Sequence, residues 1–142
     1  MQVEESLKHT KWECKYHVVF IPKYRRKVLY QQLRRELGEV LRELCRHKEC
    51  QVVEGHLMGD HVHMLVSIPP KYSVSQVMGY VKGKSAIHIA RTYEGRRRSF
   101  VGMHFWARGY WVSTVGRDEQ AVRKYIQEQE QEEKRLEQLQ ML

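Results

Sequence analysis

No run of about 18 apolar residues occurs in this sequence, so no segment is able to cross a bilayer as a helix. The first residues, Met1 to Thr10, lack the basic-then-apolar layout of a secretory leader. A soluble, cytoplasmic protein with no membrane partner is therefore expected. Cysteine is scarce: Cys14, Cys45 and Cys50 form no CxxC pair and leave an odd count, which argues against a disulfide framework and for reduced thiols. Cys45, His47, Cys50 and His56 match no standard structural zinc spacing, and Cys45 falls on an apolar helical stripe as a core residue would. Internal repeats and long linkers are absent too. A chain of 142 residues has room for one ordinary core, so a single domain over 1–142 is expected, with a core near 12–130 and a polar helix end over 131–142.

What the chain does have is positive charge. The formal net charge is +8, and it is unevenly spread. Residues 118–142 hold seven acidic against four basic side chains, a net −3, so the first 117 residues carry +11. A basic body with an acidic final helix points to a polyanionic partner, nucleic acid first. Solvation alone is the competing explanation of any single charge.

Periodicity sets the elements. Trp12 to Ile21 is rich in aromatic and β-branched residues and stops at Pro22, as a strand should. Leucines and Val40 recur at helical spacing over 28–47. Gln51 to Met58 and His61 to Ile68 read as strands joined by Gly59-Asp60, a tight antiparallel hairpin. Ser73 with Gln76 has the form of a capping box, opening a helix over 73–93. Gly95 to Arg98 form a basic loop, Phe105-Trp106 and Tyr110 to Val115 short strand segments, and Asp118 a helix N-cap for the last helix. Strand, helix, strand, strand, helix, strand, helix predicts an α+β domain. Its antiparallel sheet carries helices on its faces, as in a ferredoxin-like βαββαβ unit with one helix added.

Candidate chemistry concentrates at two places. His61 and His63 flank one residue of a strand, so their imidazoles point to the same face and suit one divalent metal ion. A solvated sheet face is the alternative. On the last helix Val122, Tyr125, Ile126 and Gln129 share one face, which puts Tyr125 and Gln129 inward or at its margin. A buried amide needs partners, and metal ligation by Gln129 would supply one. Three neutral donors would leave the ion's charge free for phosphate oxygens, with Tyr125 one turn away as attacking group.

The segments 59–70 (GDHVHMLVSIPP), 124–129 (KYIQEQ) and 16–27 (YHVVFIPKYRRK) resemble the single-tyrosine HUH transposases of the IS200/IS605 insertion-sequence family, from about Trp12 to Gln140. The resemblance implies His61 and His63 as metal ligands, Gln129 as the third ligand and Tyr125 as the nucleophile that becomes joined to a 5′-phosphate, leaving a free 3′-OH. It also implies Mg or Mn as cofactor, single-stranded DNA with hairpins at the element's ends as partner, and a homodimer whose tyrosine helix serves its own or the other subunit's site.

Lys23, Tyr24, Arg25, Arg26 and Lys27, with Lys82, Lys84 and Arg91, are candidate DNA contacts, and Tyr24 and Tyr80 could stack on bases. Asp60 reads first as a turn residue and second as a tuner of the metal site. Gly79 and Gly83 read most economically as close helix–sheet packing. His17, His88 and His104 show no partner pattern and read as structural or surface residues. A non-catalytic nucleic-acid module, a hydrolase of small phosphoesters and a rolling-circle replication initiator are the rival functions.

Overall fold

The computed structural model describes residues 5–7, 10–94, 105–116 and 119–140. Strands β1 (Glu5–Leu7) and β2 (Thr10–Trp12) form a small antiparallel hairpin. Then come β3 (Lys15–Phe20), α1 (Lys27–His47), β4 (Gln51–Leu57), β5 (Val62–Ser67), α2 (Val74–Ile89), β6 (Trp111–Thr114) and α3 (Glu119–Gln140). The main sheet runs β4-β5-β3-β6 with every neighbour antiparallel, the strand order of a ferredoxin-like βαββαβ unit. The α+β architecture with an added terminal helix is as the element order predicts.

Alternation along the strands divides the sheet into two faces. Val18 and Phe20 of β3 and Val62, Met64 and Val66 of β5 turn to one side. There they bury against Leu33, Leu37 and Leu41 of α1 and Val77, Met78 and Val81 of α2. Between these positions fall Lys15, His17 and Val19 of β3 and His63, Leu65 and Ser67 of β5, on the opposite face. That face belongs to α3, where Leu65, Val115 and Ile126 make a second, much smaller apolar cluster. With helices on both sides, all of β5 is buried. A histidine on this strand is therefore interior, and the solvated-face alternative for His63 fails.

Local signals decide most boundaries. The capping box is present in both halves, with Gln76 N–H donating to Ser73 Oγ and Ser73 N–H to Gln76 Oε1. α1 ends in a Schellman arrangement: Cys50 N–H donates to Cys45 C=O and Glu49 N–H to Arg46 C=O. Glu49 takes the left-handed conformation (φ 57°) that glycine usually fills there. Residues 58–61 connect β4 to β5, and Met58 N–H donates to His61 C=O across them, so the chain reverses over Gly59-Asp60.

Four expectations need correction. The first strand is interrupted: β2 ends at Trp12, and β3 enters the sheet only at Lys15, which short-range propensity does not register. Phe105-Trp106 is a buried segment bridged to Pro22 and not a strand, because one antiparallel bridge and the Trp106 Nε1–H to Ser85 Oγ bond (2.9 Å) satisfy it. The regular α2 helix stops at Ile89 and continues as a π-helical turn over Ala90–Glu94, with Tyr93 exposed rather than on the core stripe. Gly79 and Gly83 are not close-packing positions among the described residues, since a Cβ at either would meet no atom within 4 Å beyond the backbone of its own helix. The Asp118 cap, the basic loop 95–98 and His104 lie outside the described residues.

The zinc pattern remains unsupported. Among the described residues no three His, Cys, Asp or Glu side chains converge as metal ligands. Burial pushes the Cys45 thiol up to about 12, as befits a core side chain. Among the described residues no helix is long and apolar enough to cross a membrane.

Candidate active site on the α3 face of the sheet

His63 lies one residue into β5 and is only 5% exposed. His61 sits at the mouth of the same strand, its ring centroid 4.5 Å from that of His63, so the two imidazoles are adjacent as the H-x-H spacing predicts. The turn carrying His61 is gripped from two sides. From α1, the fully buried Tyr30 donates its hydroxyl hydrogen to the carbonyls of Met58 and His61, the latter at 2.7 Å. Across from it, Glu133 of α3 accepts the Gly59 N–H at 2.9 Å. Burial raises the Tyr30 phenol well above its ordinary range, keeping it a neutral donor.

Each histidine has one ring nitrogen already engaged. Asp60, part of the tight turn as expected, also brings its carboxylate to His61 Nδ1. The hydrogen bond from His61 holds that carboxyl below its usual value, so it is an ionised acceptor and Nδ1 is the donor. His61 Nε2 then carries the free lone pair. His63 Nδ1 is hydrogen-bonded to His17 Nε2 of β3 at 2.9 Å. Desolvation, then the charges of His61, His17 and His56, lower the His63 pKa to about 4. At neutral pH it is an uncharged imidazole, the form able to ligate a metal.

α3 supplies the rest. Tyr125 stands with its ring centroid 6.3 Å from His63 and 6.4 Å from His17, and is 49% exposed, so it is open to a substrate. Its hydroxyl accepts a 2.6 Å hydrogen bond from Gln129 Nε2. The Gln129 oxygen is buried in the same corner. Its pull on a His63 proton is the smallest of the influences on that ring and is outweighed by the others, and among the described residues it makes no well-formed hydrogen bond. An orphaned amide oxygen beside two imidazoles fits a divalent cation: His61, His63 and Gln129 could hold it, all as neutral donors. An open cleft of about 570 Å³, lined by His17, Val19, His63, Trp111, Val122 and Tyr125, adjoins the group. A larger one of about 720 Å³ runs between α1, β4 and α3, but its Arg34 is engaged by Glu133 and Glu137 and no hydroxyl or thiol side chain lines it.

α3 is seated on the body mainly by charge. At its start Glu119 meets Lys15 Nζ at 3.1 Å, with both side chains under 10% exposed. Further along, Glu130 pairs with His56, and Glu133 and Glu137 pair with Arg34. Ile126, with no exposed surface, is the one fully buried apolar side chain among the described residues of the helix.

The candidate DNA contacts divide. Lys23 precedes a 3-10 turn over Tyr24–Arg26 that leads into Lys27 at the start of α1, and Tyr24 is 93% exposed. Lys27 acts electrostatically on Asp60, which brings this basic loop beside the histidine turn. Arg25, Lys84 and Arg91 are exposed. Lys82 is used internally: its ammonium donates to the carbonyls of Ala107 and Gly109 at 2.9 and 2.6 Å, and burial lowers its pKa. Tyr80 is likewise occupied, hydrogen-bonded to His47 at 3.0 Å and covered by Lys48. Sequence reasoning missed His17, Tyr30 and Trp111. Strand alternation does set His17 apart from Val18 and Phe20, but its diagonal approach to His63 depends on a β3–β5 register (Val19 opposite His63) that no local pattern encodes.

This sheet, with α3 on one face, defines a class of fold. The crystal structure of a putative transposase from Deinococcus radiodurans R1 has the same fold, with TM-score 0.67 and 25% identity over 88% of this chain and 97% of that one. So has a REP-associated tyrosine transposase solved bound to a REP hairpin, with TM-score 0.60 and 13% identity over 86% of this chain and 70% of that one. The fold is that of a tyrosine transposase.

The chain belongs to the IS200-like transposases, whose family model, described as "Transposase IS200 like", matches residues 10–129. The transposase for insertion sequence element IS200 of Salmonella typhimurium strain LT2 is 46% identical over 136 residues, 96% of this chain and 90% of that protein. The ISDra2 transposase TnpA of Deinococcus radiodurans is 28% identical over 123 residues, 86% of this chain and 88% of that protein. The resemblance carried by 16–27, 59–70 and 124–129 is borne out at the level of the family.

Proposed function

We propose that this transposase cuts and rejoins single-stranded DNA at the ends of an insertion sequence. Tyr125 is the nucleophile, and a divalent cation, Mg2+ or Mn2+, is held by His61, His63 and Gln129. The observation that carries the reading is the meeting, in one corner, of an exposed phenol, two neutral-capable imidazoles and a buried amide oxygen that makes no well-formed hydrogen bond among the described residues. When bound, the cation supplies Lewis-acid polarisation of the scissile phosphate.

The chain's own residues do the remainder. Tyr125 Oη attacks phosphorus, the P–O3′ bond breaks, and the electron pair leaves on O3′. That oxygen takes up a proton as the phenol loses one. The products are a 5′-phosphotyrosine and a free 3′-OH. One phosphodiester replaces another, so the step reverses without a nucleotide cofactor. Gln129 Nε2–H, already on Tyr125 Oη, orients the phenol and stabilises negative charge developing there.

For the DNA, Lys23, Arg25, Arg26, Lys27, Lys84 and Arg91 offer phosphate contacts, while exposed Tyr24 and Trp111 offer faces for unpaired bases. A hairpin at the element's end is the expected substrate feature, supported by the hairpin-bound relative. A homodimer working in the cytoplasm, with α3 serving its own site or the partner's, completes the proposal. Exposed Leu136 and Leu139 near the helix end fit such a contact.

The test is incubation with single-stranded DNA carrying the hairpin end and Mn2+, followed by denaturing electrophoresis. The reading expects a denaturation-resistant protein–DNA adduct that vanishes in Tyr125→Phe and with a chelator. Cleavage without an adduct would point to simple hydrolysis, and binding without cleavage to a non-catalytic module.

A further inference from the structure

His17 is the one buried titratable side chain at the site to which the proposed reaction gives no part. It lies on β3, is 7% exposed, and its Nε2 is 2.9 Å from His63 Nδ1. The two rings stack with centroids 5.1 Å apart, and Trp111 braces His17 edge-to-face at 5.2 Å. We infer that His17 is a positioning residue which fixes the tautomer and rotation of His63, so that His63 presents the lone pair of Nε2 toward Gln129 and Tyr125. The inference rests on the cation-binding reading of the site.

A single proton lies between the two facing nitrogens. A neutral imidazole has one N–H and one lone pair, so whichever ring donates has its other nitrogen as acceptor. If His63 is to offer Nε2 to a cation, its hydrogen must be on Nδ1. His17 Nε2 must then accept, and the hydrogen of His17 must sit on its own Nδ1. The same logic already holds at His61, where the Asp60 carboxylate keeps the hydrogen on Nδ1. Asp60 and His17 thus play matching parts for the two ligands, one from the turn and one from the neighbouring strand. Such outer partners hold a ligand ring in place and tune its basicity. A side chain that merely filled this space would be served as well by phenylalanine, which could stack on His63 but accept nothing.

Two readouts test this in the full-length protein. In the Mg2+-loaded wild type, nitrogen-15 NMR of the imidazoles should find the His63 hydrogen on Nδ1 and bonded to His17 Nε2; finding it on Nε2 overturns the inference. Mn2+ titration followed by electron paramagnetic resonance should show affinity falling roughly 10- to 100-fold in His17→Phe. His17→Gln, whose amide oxygen can accept from His63 Nδ1, should recover most of it, and a rescue of this kind separates positioning from packing. If His63→Ala abolishes Mn2+ binding while His17→Phe binds like wild type, this inference alone fails. If the wild type takes up no Mn2+, the cation reading fails with it.

Discussion

Replacing Ile126 with alanine probes how the tyrosine helix is held. The side chain is fully buried against Leu65 and Val115, in a cluster separate from the main core. Truncation removes three carbons, about 2.4 kcal/mol at ~0.8 kcal/mol per buried methylene. The unfilled space adds to this, giving a loss of about 3 kcal/mol, within the usual range for such substitutions. The half-exposed pairs of Arg34 with Glu133 and Glu137 cannot compensate, since each contributes roughly 0.2–1 kcal/mol. Amide hydrogen exchange is the suitable assay because it reports local opening. If α3 exchanges by leaving the sheet, its amides around 122–133 should exchange about 100-fold faster, at ~1.4 kcal/mol per factor of ten. Amides of α1 and α2 should be unchanged. Ile126→Val, costing about 0.5–1.5 kcal/mol, should give an acceleration between those extremes. Unchanged α3 amides would refute the reasoning, and so would an equal acceleration in all three helices, which would mean that α3 does not open separately.

Other perturbations address the groups around the site. Tyr30→Phe takes from the buried Met58 carbonyl its hydroxyl donor and leaves His61 C=O with Met58 N–H alone; a loss of roughly 1–3 kcal/mol in chemical denaturation is expected, with weaker Mn2+ binding, and unaltered Mn2+ affinity would show that the turn holds His61 unaided. Lys15→Met strands the Glu119 carboxylate in the interior and should cost about 3–5 kcal/mol, largely recovered in Lys15→Met/Glu119→Leu; an undiminished loss in the double variant would mean the pair is not the cause. The metal-free protein should lose stability as pH falls from about 6.5 toward 4. There the unfolded chain takes up a proton at His63 that the folded chain, with its pKa lowered to about 4, still refuses. His63→Phe should flatten melting temperature against pH over that window, and an unchanged slope would contradict the assignment.

Much of this molecule is legible from local pattern. The leucine stripe gives α1 to within a residue, Ser73 and Gln76 give the start of α2, and the H-x-H spacing gives adjacent imidazoles. These features depend on contacts between residues three or four apart on a helix or two apart on a strand, which sequence displays directly. What escapes is whatever depends on long-range register. His17 meets His63 across 46 positions, Lys15 meets Glu119 across 104, and Tyr30 reaches the His61 turn across 31. Lys82 shows the same limit in reverse. It sits among other basic residues and reads as a phosphate contact, until the fold delivers the Ala107 and Gly109 carbonyls to it. Tyr125 and Gln129 were legible because one helical turn joins them.

The central claim concerns one oxygen atom, and peptide mass spectrometry of the protein–DNA adduct addresses it directly. Trypsin cutting at Lys124 and Lys134 releases 125–134 (YIQEQEQEEK), in which Tyr125 is the only hydroxyl-bearing side chain. After nuclease trimming, this peptide should carry a residual nucleotide linked through phosphate to Tyr125. A nucleotide found on any other peptide, or an adduct that persists in Tyr125→Phe, would contradict the account.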